Sequence, residues 1–308
     1  MPQPHVEGAV EAAKGGFNAG ETILGHVSDS SIAHPLIHLP TVFGIDMSVT
    51  KHVFMLWFAA VVVLVGVTVV VRRYLSQERP VPTGFMGLLE YAVIFVRDEI
   101  VEPNVGRKWV NTWTPLILTF FLFILAVNLI GLVPLSDALA LLNHTVIHPA
   151  EDSFLARLAH GGSTPTGNFN VTAALATISF LAIIVAGTMA HGFVQHWKNL
   201  VPGGVPKWIY PLLIPIEIIS LFVRPFALTM RLAANMTGGH IAILAILSFV
   251  FIFADMTGQA AVGMGIGVPS LVLASLISVL EVIVALVQAY VFTLLTAVFV
   301  GMAIHAHH

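Results

Sequence analysis

The chain has 308 residues, of which 57% are hydrophobic and only 9% are charged, and its mean hydropathy is +0.93. Because soluble domains carry roughly a quarter of charged residues, this composition excludes an ordinary water-soluble enzyme. The formal net charge is −3 and no dense run of Lys and Arg occurs, which argues against a nucleic-acid partner. Cysteine is absent, so thiol catalysis, disulfides and iron–sulfur ligation are excluded as well.

Residues 1–50 form the first predicted segment, an N-terminal extension. No secretory signal peptide is expected in it, because no basic start precedes a continuous apolar stretch. Val6, Val10, Ala13 and Phe17 recur at helical spacing. This pattern fits either a short amphipathic helix on a membrane surface or a disordered tail.

Two segments of different character follow the extension. Residues 51–74 predict the first transmembrane helix, because an apolar run of nearly the length needed to cross a bilayer ends at Arg72. Residues 83–104 predict an amphipathic surface helix, in which one apolar stripe runs beside acidic and basic residues. The stripe consists of Phe85, Leu88, Leu89, Ala92, Val93, Val96 and Ile100.

Residues 111–193 predict a transmembrane hairpin with a polar outer loop. Its two spans are expected at about 113–135 and 171–189. Pro115 is tolerable in the first turn of the second span of the chain, and Asn128 is the strongly polar residue inside it. We expect Asn128 and Asn170 to hydrogen-bond or pack between helices rather than to carry protons.

Residues 207–304 predict two long, tilted helices, at 208–254 and 269–303, because the apolar pattern exceeds one bilayer thickness and contains ionisable residues. For 255–268 we expect a flexible turn rather than a nucleotide site, since its glycines follow no strand and precede no phosphate-binding lysine. The His-rich end, 305–308, is expected to be a solvated tail, because no carboxylate or cysteine stands near it to complete a metal site. No metal and no other cofactor are predicted.

The distribution of Lys and Arg predicts the orientation in the membrane. Six of them lie in 72–112 and two in 192–208, whereas the opposite side has only Lys14, Lys51 and Arg157. The positive-inside rule therefore predicts five passes, with the N-terminus outside and the C-terminus in the cytoplasm.

Ionisable side chains lie within both long C-terminal helices. A charge at the bilayer centre costs about 2.5–3.5 kcal/mol, so each of these groups needs water, another polar group or a partner. At about 100° per residue, Glu217, Arg224, Arg231 and Asn235 fall within one stripe of roughly 40°, and His240 points to the opposite side. A narrow stripe on the second helix contains Ser278, Glu281, Ala285 and Gln288. Two polar stripes on adjacent helices predict a hydrated path.

The run PFALTMRLAANMTGGH at 225–240 resembles the signature of subunit a of F-type ATP synthases, in which an arginine is followed by L-x-x-N-M-x-x-G. NLIGLVP at 128–134 and NVTAAL at 170–175 resemble the second and third spans of that family. The resemblance covers about residues 50–304. Four further family positions are matched by Glu217, Arg224, Glu281 and Gln288.

The resemblance implies an all-α integral membrane protein whose last two helices form a hairpin against a ring of c subunits. Arg231 would face that ring, where its fixed positive charge favours the ionised form of the approaching ring carboxylate. Because guanidinium stays protonated, Arg231 would also block direct leakage between two offset half-channels. Asn235 would orient Arg231 or its water shell, and Gln288 would approach Arg231 from the second helix.

The resemblance also implies a proton path. His240 and Glu281 would line the outer half-channel, and Glu217 would mark the cytoplasmic one. In several relatives the acid and the histidine of the outer pair stand on the exchanged helices, which keeps one imidazole and one carboxylate in the cavity. Arg224 would either support this path or snorkel to the membrane interface. Glu281 and His240 could alternatively form a buried pair without a transport role.

The implied assembly is the membrane part of a bacterial ATP synthase in the plasma (inner) membrane. Its expected partners are the c-subunit ring, the peripheral-stalk b subunits, the remaining synthase subunits and the lipid bilayer. No nucleotide-binding G-x-x-x-x-G-K-[ST] sequence occurs, so no catalytic site of its own is expected. Two other functions stay open: a self-contained secondary transporter, although no second copy of the Arg231 segment is found, and a purely structural membrane subunit.

Overall fold

A computed structural model describes residues 18–27, 35–42, 45–77, 81–133, 165–198 and 206–305. This part of the chain is almost entirely helical, and five of its helices are long and apolar enough to cross a membrane. The prediction of an all-α membrane protein with about five passes is therefore confirmed. The predictions for residues 1–17, for most of the outer loop and for residues 306–308 lie outside the described residues.

The helices are numbered here in chain order. The first helices of the chain are α1 (Ala19–Val27), α2 (Lys51–Leu75), α3 (Phe85–Ile94), a π-helix (Phe95–Val101) and α4 (Glu102–Val105). They are followed by α5 (Val110–Leu132), a 3-10 turn (Pro165–Gly167), α6 (Phe169–His191), α7 (Phe193–Lys198), a second 3-10 turn (Lys207–Ile209), α8 (Tyr210–Thr257) and α9 (Ala260–Ile304). The five candidate spans are α2, α5, α6, α8 and α9.

A small β-hairpin precedes the first span, and the sequence did not predict it. Its strands are β1 (Thr41–Val42) and β2 (Ile45–Asp46), which pair antiparallel. Ser48 follows the hairpin, and its backbone N–H donates to Asp46 Oδ1 at 2.9 Å. These hydrogen bonds from Ser48 lower the pKa of the Asp46 carboxyl below its usual value. A two-residue ladder carries too little alternation to be read from a sequence.

The segment predicted as an amphipathic helix changes its winding partway. It starts as α3 and continues as the π-helix, whose i→i+5 hydrogen bonds add a residue to each turn. Leu89, Val96 and Ile100 of the predicted stripe are buried, but Phe85 and Leu88 are exposed. The predicted stripe is therefore not one continuous buried face, and the change of winding from Phe95 onward is a departure that a constant 3.6-residue period does not foresee.

The helix α5 ends three residues earlier than expected. Val133 has an extended backbone, with φ −74° and ψ 123°, because the proline at position 134 disfavours a helical conformation in the residue before it. The helix also begins earlier, at Val110, so Pro115 lies beyond the first turn. The Thr114 hydroxyl, next to this proline, donates to the Val110 carbonyl at 2.6 Å.

A turn connects the two long helices as expected, but it is much shorter than 255–268, so the predicted bounds are wrong. The helix α8 extends to Thr257, α9 begins at Ala260, and only Gly258 and Gln259 connect them. Gly258 has φ +63°, a conformation that glycine adopts without strain. Gly263, within α9, allows close packing: a Cβ there would lie 2.7 Å from the Val250 carbonyl oxygen and from the Ala254 methyl.

The chain divides into two compact units, one with residues 1–52, 134–163 and 236–283 and the other with 53–133, 164–235 and 284–308. The core of the second unit has two clusters of buried side chains. The first cluster joins the π-helix, α5, α6 and the end of α9 through Val96, Ile100, Ile117, Ala186 and Val300. The second joins α5, α6, α8 and α9 through Phe120, Ile124, Leu175, Leu228, Leu232 and Phe292.

Candidate functional site

A stripe of buried leucines fixes the rotation of α8 in the second unit. Leu221, Leu228 and Leu232 are at most 7% exposed and follow a seven- and four-residue spacing. Arg224, Arg231 and Asn235 each stand three residues after one of these leucines. Three residues correspond to about 300°, so the polar side chains flank the packed stripe at roughly 60°. The packing of the leucines therefore positions the polar stripe at the edge of the buried face. The three polar residues lie along one line of the helix.

The Arg231 side chain is exposed. Within the described part of the chain, no carboxylate forms an ion pair with its guanidinium. Glu217 stands on the same helix, fourteen residues or about 21 Å away, and is partly buried. Arg231 and Glu217 therefore do not form an ion pair. The fixed charge of Arg231 is available to water or to another molecule.

Asn235 and Gln288 connect α8 to α9 in the second unit. The Asn235 amide Nδ2 donates to Gln288 Oε1 at 3.1 Å. Gln288 is 3% exposed, whereas Asn235 is exposed. Ala285, one turn earlier on the same face of α9, is fully buried, so a small side chain permits the close approach at this level. The hydrogen bond fixes the orientation of Gln288 and of Asn235, one turn from Arg231.

His240 and Glu281 form a pair in the first unit. Nδ1 of His240 lies 3.3 Å from Oε1 of Glu281, and the side chains are 26% and 10% exposed. Gly239 creates the space for this carboxylate, because a Cβ at position 239 would overlap Glu281 Oε1. The two atoms do not hydrogen-bond to each other in this geometry, so a proton would pass between the imidazole and the carboxylate through one water or after a small side-chain movement. The sequence singled out both members of the pair, and the motif L-x-x-N-M-x-x-G includes Gly239 but did not reveal what this glycine does.

Two other predicted residues have more limited contacts. The guanidinium of Arg224 lies 5.2 Å from the centre of the Phe299 ring, and the side chain is partly buried. This cation–π contact gives Arg224 a packing role on α9. Asn170 is exposed at the start of α6, and its backbone N–H donates to the capping side chain of Asn168 at 2.9 Å. Among the described residues its own side chain makes no hydrogen bond to another helix.

Asn128 is fully buried and joins three segments. Its Oδ1 accepts a hydrogen bond from the Thr166 hydroxyl at 2.8 Å, and its Nδ2 donates to the Ala285 carbonyl at 3.5 Å. Asn128 thus ties α5 to the 3-10 turn before α6 and to α9. The sequence did not identify Thr166, because the loop that contains it carries no periodic pattern.

The second unit also contains two histidine contacts that sequence reasoning missed. His196 is 6% exposed and its ring lies where a side chain at Gly187 would be. Burial, with a smaller effect of the nearby His191, lowers the pKa of His196 below 6.5. His305, predicted to be part of a solvated tail, is exposed, but its Nε2 lies 3.1 Å from the Val105 carbonyl oxygen. Among the described residues no group of three His, Asp or Glu side chains has the arrangement of a metal site.

Fold and side chains together define a multi-pass helical membrane protein with an exposed arginine and a His–Glu pair on its two longest helices. A model of the family described as "ATP synthase A chain" matches residues 53–301. The chain belongs to the family of ATP synthase subunit a, as the motif at 225–240 predicted.

Individual relatives agree with this assignment. The chain is 37% identical to an ATP synthase subunit a 2 of Prosthecochloris aestuarii over 307 residues, which are 97% of this chain and 84% of that protein. It is 38% identical to an ATP synthase subunit a of Chloroherpeton thalassium over 89% of this chain and 72% of that protein. For the Myxococcus xanthus subunit a, the identity is 37% over 86% of this chain and 75% of the relative. The similarity extends into the N-terminal residues that precede the first span.

Proposed function

We propose that this chain is the proton-translocating stator subunit of a membrane rotary ATP synthase. The observation that carries the proposal is the exposed Arg231, a charge without a carboxylate partner in the described residues, on a helix otherwise apolar enough to cross a membrane. A permanently charged group in such a place is expensive unless it serves a moving or hydrated partner. The family of the chain makes an ATP synthase the natural setting for that partner.

In this mechanism Arg231 faces a carboxylate of the c-subunit ring. The guanidinium attracts the ionised carboxylate and so promotes release of its proton, and it stays charged at every accessible pH. The same charge repels protons between two offset half-channels, so that they cross only by riding on the ring. The Asn235–Gln288 hydrogen bond, next to Arg231 in the second unit, holds two amides that orient the guanidinium or its water.

The outer half-channel contains the His240–Glu281 pair, and Glu217 marks the cytoplasmic half-channel. A relay needs groups that take up and release a proton near neutral pH, and an imidazole beside a carboxylate meets that need. The distance of 3.3 Å between Nδ1 and Oε1 supports this role. The orientation that fits is the one from the positive-inside rule, with the N-terminus outside and the C-terminus in the cytoplasm.

The proposed partners follow from the proposed role as a stator subunit. The last two helices contact the c ring, b subunits of the peripheral stalk hold the chain in place, and the remaining synthase subunits carry the nucleotide chemistry. The complex resides in a bacterial inner membrane. One elementary charge moved through 100 mV yields about 2.3 kcal/mol, so a rotor has to combine several protons for each ATP.

Substitution of Arg231 by alanine in the intact complex tests the proposal. In inverted membrane vesicles we expect Arg231→Ala to abolish ATP-driven acidification and proton-driven ATP synthesis, with a normal amount of assembled complex on native gels. The matched control is Arg107→Ala, which removes a 93% exposed arginine whose ion pair with Glu102 lies at the surface. Such surface pairs contribute little to stability, so the control should pump normally.

Two outcomes would contradict the proposal. If Arg231→Ala vesicles still couple proton flow to ATP synthesis, the arginine has no essential role. If the variant prevents assembly while the residual complexes pump normally, a purely structural role explains the residue. A secondary transporter would instead move a solute when the purified chain alone is reconstituted into vesicles.

A further inference from the structure

The short helix α7 packs against the end of α6 in the second unit. Gly192 connects the two helices with φ +83°, a conformation that glycine adopts without strain. Of the six side chains of α7, only that of His196 is buried. The apolar side chains of the same helix are exposed: Phe193, Val194 and Trp197. An ionisable residue therefore anchors α7, which is the reverse of an ordinary amphipathic helix.

Gly187 of α6 leaves a recess in which the ring of His196 lies. A Cβ at position 187 would overlap Nδ1 and Cε1 of this ring, so a larger residue there excludes the histidine. Nε2 of His196 is buried and has no hydrogen-bond partner among the described residues. In the neutral ring, Nε2 can be the nitrogen without a proton. Protonation adds a charge and a donor that finds no acceptor, so the recess favours the neutral ring.

The ionisable groups around the recess do not compensate a positive charge on His196. On α6 the facing group is His191, whose charge opposes a charge on His196. On α7 itself, Lys198 follows two residues later. Within the described ranges no carboxylate forms an ion pair with His196. Burial, with a smaller effect of His191, therefore keeps the pKa of the His196 imidazole below 6.5.

We propose that the contact between His196 and Gly187 is an acid-sensitive switch, which holds α7 on α6 at neutral pH and releases it in acid. When a proton from water binds the ring, the imidazolium leaves the recess because it is hydrated outside and unpaired inside. No second buried side chain of α7 holds the helix in place once His196 has left. The proposal concerns the connection between α6 and α8 and does not depend on the proposed function.

The end of α9 stays attached when the switch opens. His191 Nε2 lies 2.9 Å from the Ile304 carbonyl oxygen, and a protonated His191 still donates there because both nitrogens of an imidazolium carry a proton. The movement is thus confined to α7 and to the connection that it begins. That connection leads to α8, the helix that carries Arg231. A falling pH therefore loosens the link between α6 and α8 while α6 and α9 remain in contact.

Distances between two spin labels in the intact complex, in lipid nanodiscs, test the switch. The chain contains no cysteine, so Val185→Cys and Lys198→Cys give one label pair once the cysteines of the other subunits are replaced. Both positions are exposed, one on α6 and the other at the end of α7. At about pH 8, above the ordinary histidine pKa, we expect one narrow distance distribution. In acid a displaced distribution should replace it with a midpoint below 6.5, since docking favours the neutral ring.

Substitutions at the contact separate charge from packing. His196→Met carries no charge and fills irregular spaces well, so it should stay docked at both pH values. His196→Lys has a similar length and a positive charge, so it should give the displaced distribution already at about pH 8. Gly187→Ala should do the same, because its Cβ occupies the recess. The matched control is Gly66→Ala, since a Cβ at Gly66 meets no heavy atom within 4 Å.

Three results would overturn the switch. The first is one unchanged distance distribution of the unsubstituted labelled chain between about pH 8 and about pH 5, a range that spans the ordinary histidine pKa. The second is a pH-dependent displacement in His196→Met equal to that of the unsubstituted chain, which would place the titrating group elsewhere. The third is a docked His196→Lys at about pH 8, because the recess would then accept a charge. This last measurement decides the question even if Gly187→Ala does not assemble.

Discussion

The buried hydrogen bond between Asn128 and Thr166 offers a direct test of how the membrane helices are fixed. Both residues are fully buried, and the Thr166 hydroxyl donates to Asn128 Oδ1 at 2.8 Å. Asn128→Leu keeps the approximate size of the side chain and removes its polar atoms. The hydroxyl of Thr166 then loses its acceptor on α5 in a place that water does not reach.

The size of the effect depends on which reference state applies. Leaving one buried hydroxyl unsatisfied costs about 1–3 kcal/mol. Hydrogen bonds between membrane helices average only about 0.6 kcal/mol, with a maximum near 1.7, because the unfolded chain in the membrane also finds partners. Thr166 belongs to a 3-10 turn before α6, at a helix end, where the unfolded chain meets water. The Asn128–Ala285 contact of 3.5 Å is long and adds little. We therefore expect a loss of about 1–2 kcal/mol.

Unfolding of the purified chain by increasing SDS in mixed micelles, followed by circular dichroism, measures this loss. Thr166→Val is the complementary substitution, since it removes the hydroxyl and leaves Asn128 in place. In the double variant, most of the second loss should disappear, because each substitution removes the same hydrogen bond. Unchanged stability of Asn128→Leu, or strictly additive effects in the double variant, would refute the reasoning.

Three further predictions concern the relay pair, a buried histidine and a close helix contact. Glu281→Gln should reduce ATP-driven acidification of vesicles by about 10²–10⁴-fold, because the relay loses its carboxylate. The exchange of Glu281 with His240 should retain more activity than Glu281→Gln. Normal pumping by Glu281→Gln would contradict the relay. Because burial lowers the pKa of His196, the unfolded chain binds more protons than the folded chain below pH 6.5. The melting temperature should therefore decrease as the pH falls through 6.5, and it should decrease less steeply in His196→Gln. Equal slopes of melting temperature against pH in the two proteins would exclude the effect. Gly301→Ala places a Cβ against the backbone of Asn104 and should cost about 1–3 kcal/mol, seen as a lower melting temperature; no decrease would show that the helices shift apart freely.

Much of the membrane architecture could be predicted from the sequence, because hydropathy and helical period are local properties. Long apolar runs predicted the five spans, and the family motif predicted the assignment that the comparisons confirm. Local patterns were less informative where winding or packing changes. The π-helix Phe95–Val101 departs from a constant helical period, and Gly263 belongs to a helix in which the missing Cβ allows Val250 and Ala254 of α8 to approach.

In the candidate site, too, some features could be predicted from the sequence and others required the structure. Sequence spacing brought Arg231 and Asn235 to one stripe, and the resemblance to the family pointed to His240, Glu281 and Gln288. The amide contact of 3.1 Å to Gln288 and the space that Gly239 leaves for Glu281 required coordinates. Glycine carries no side-chain chemistry, so a pattern search for ionisable residues passes over it.

By itself the sequence determined that the chain crosses a membrane, and it determined which ionisable residues the apolar helices have to accommodate. Only the tertiary structure decided which of these residues have partners: Glu281 lies beside His240, whereas Arg231 has no carboxylate partner in the described residues. The physical reason is the separation along the chain over which each interaction acts. Hydrophobicity and helical period act between neighbours in the chain, but contacts between α8 and α9 join residues about fifty positions apart, and side-chain volume on both helices sets them.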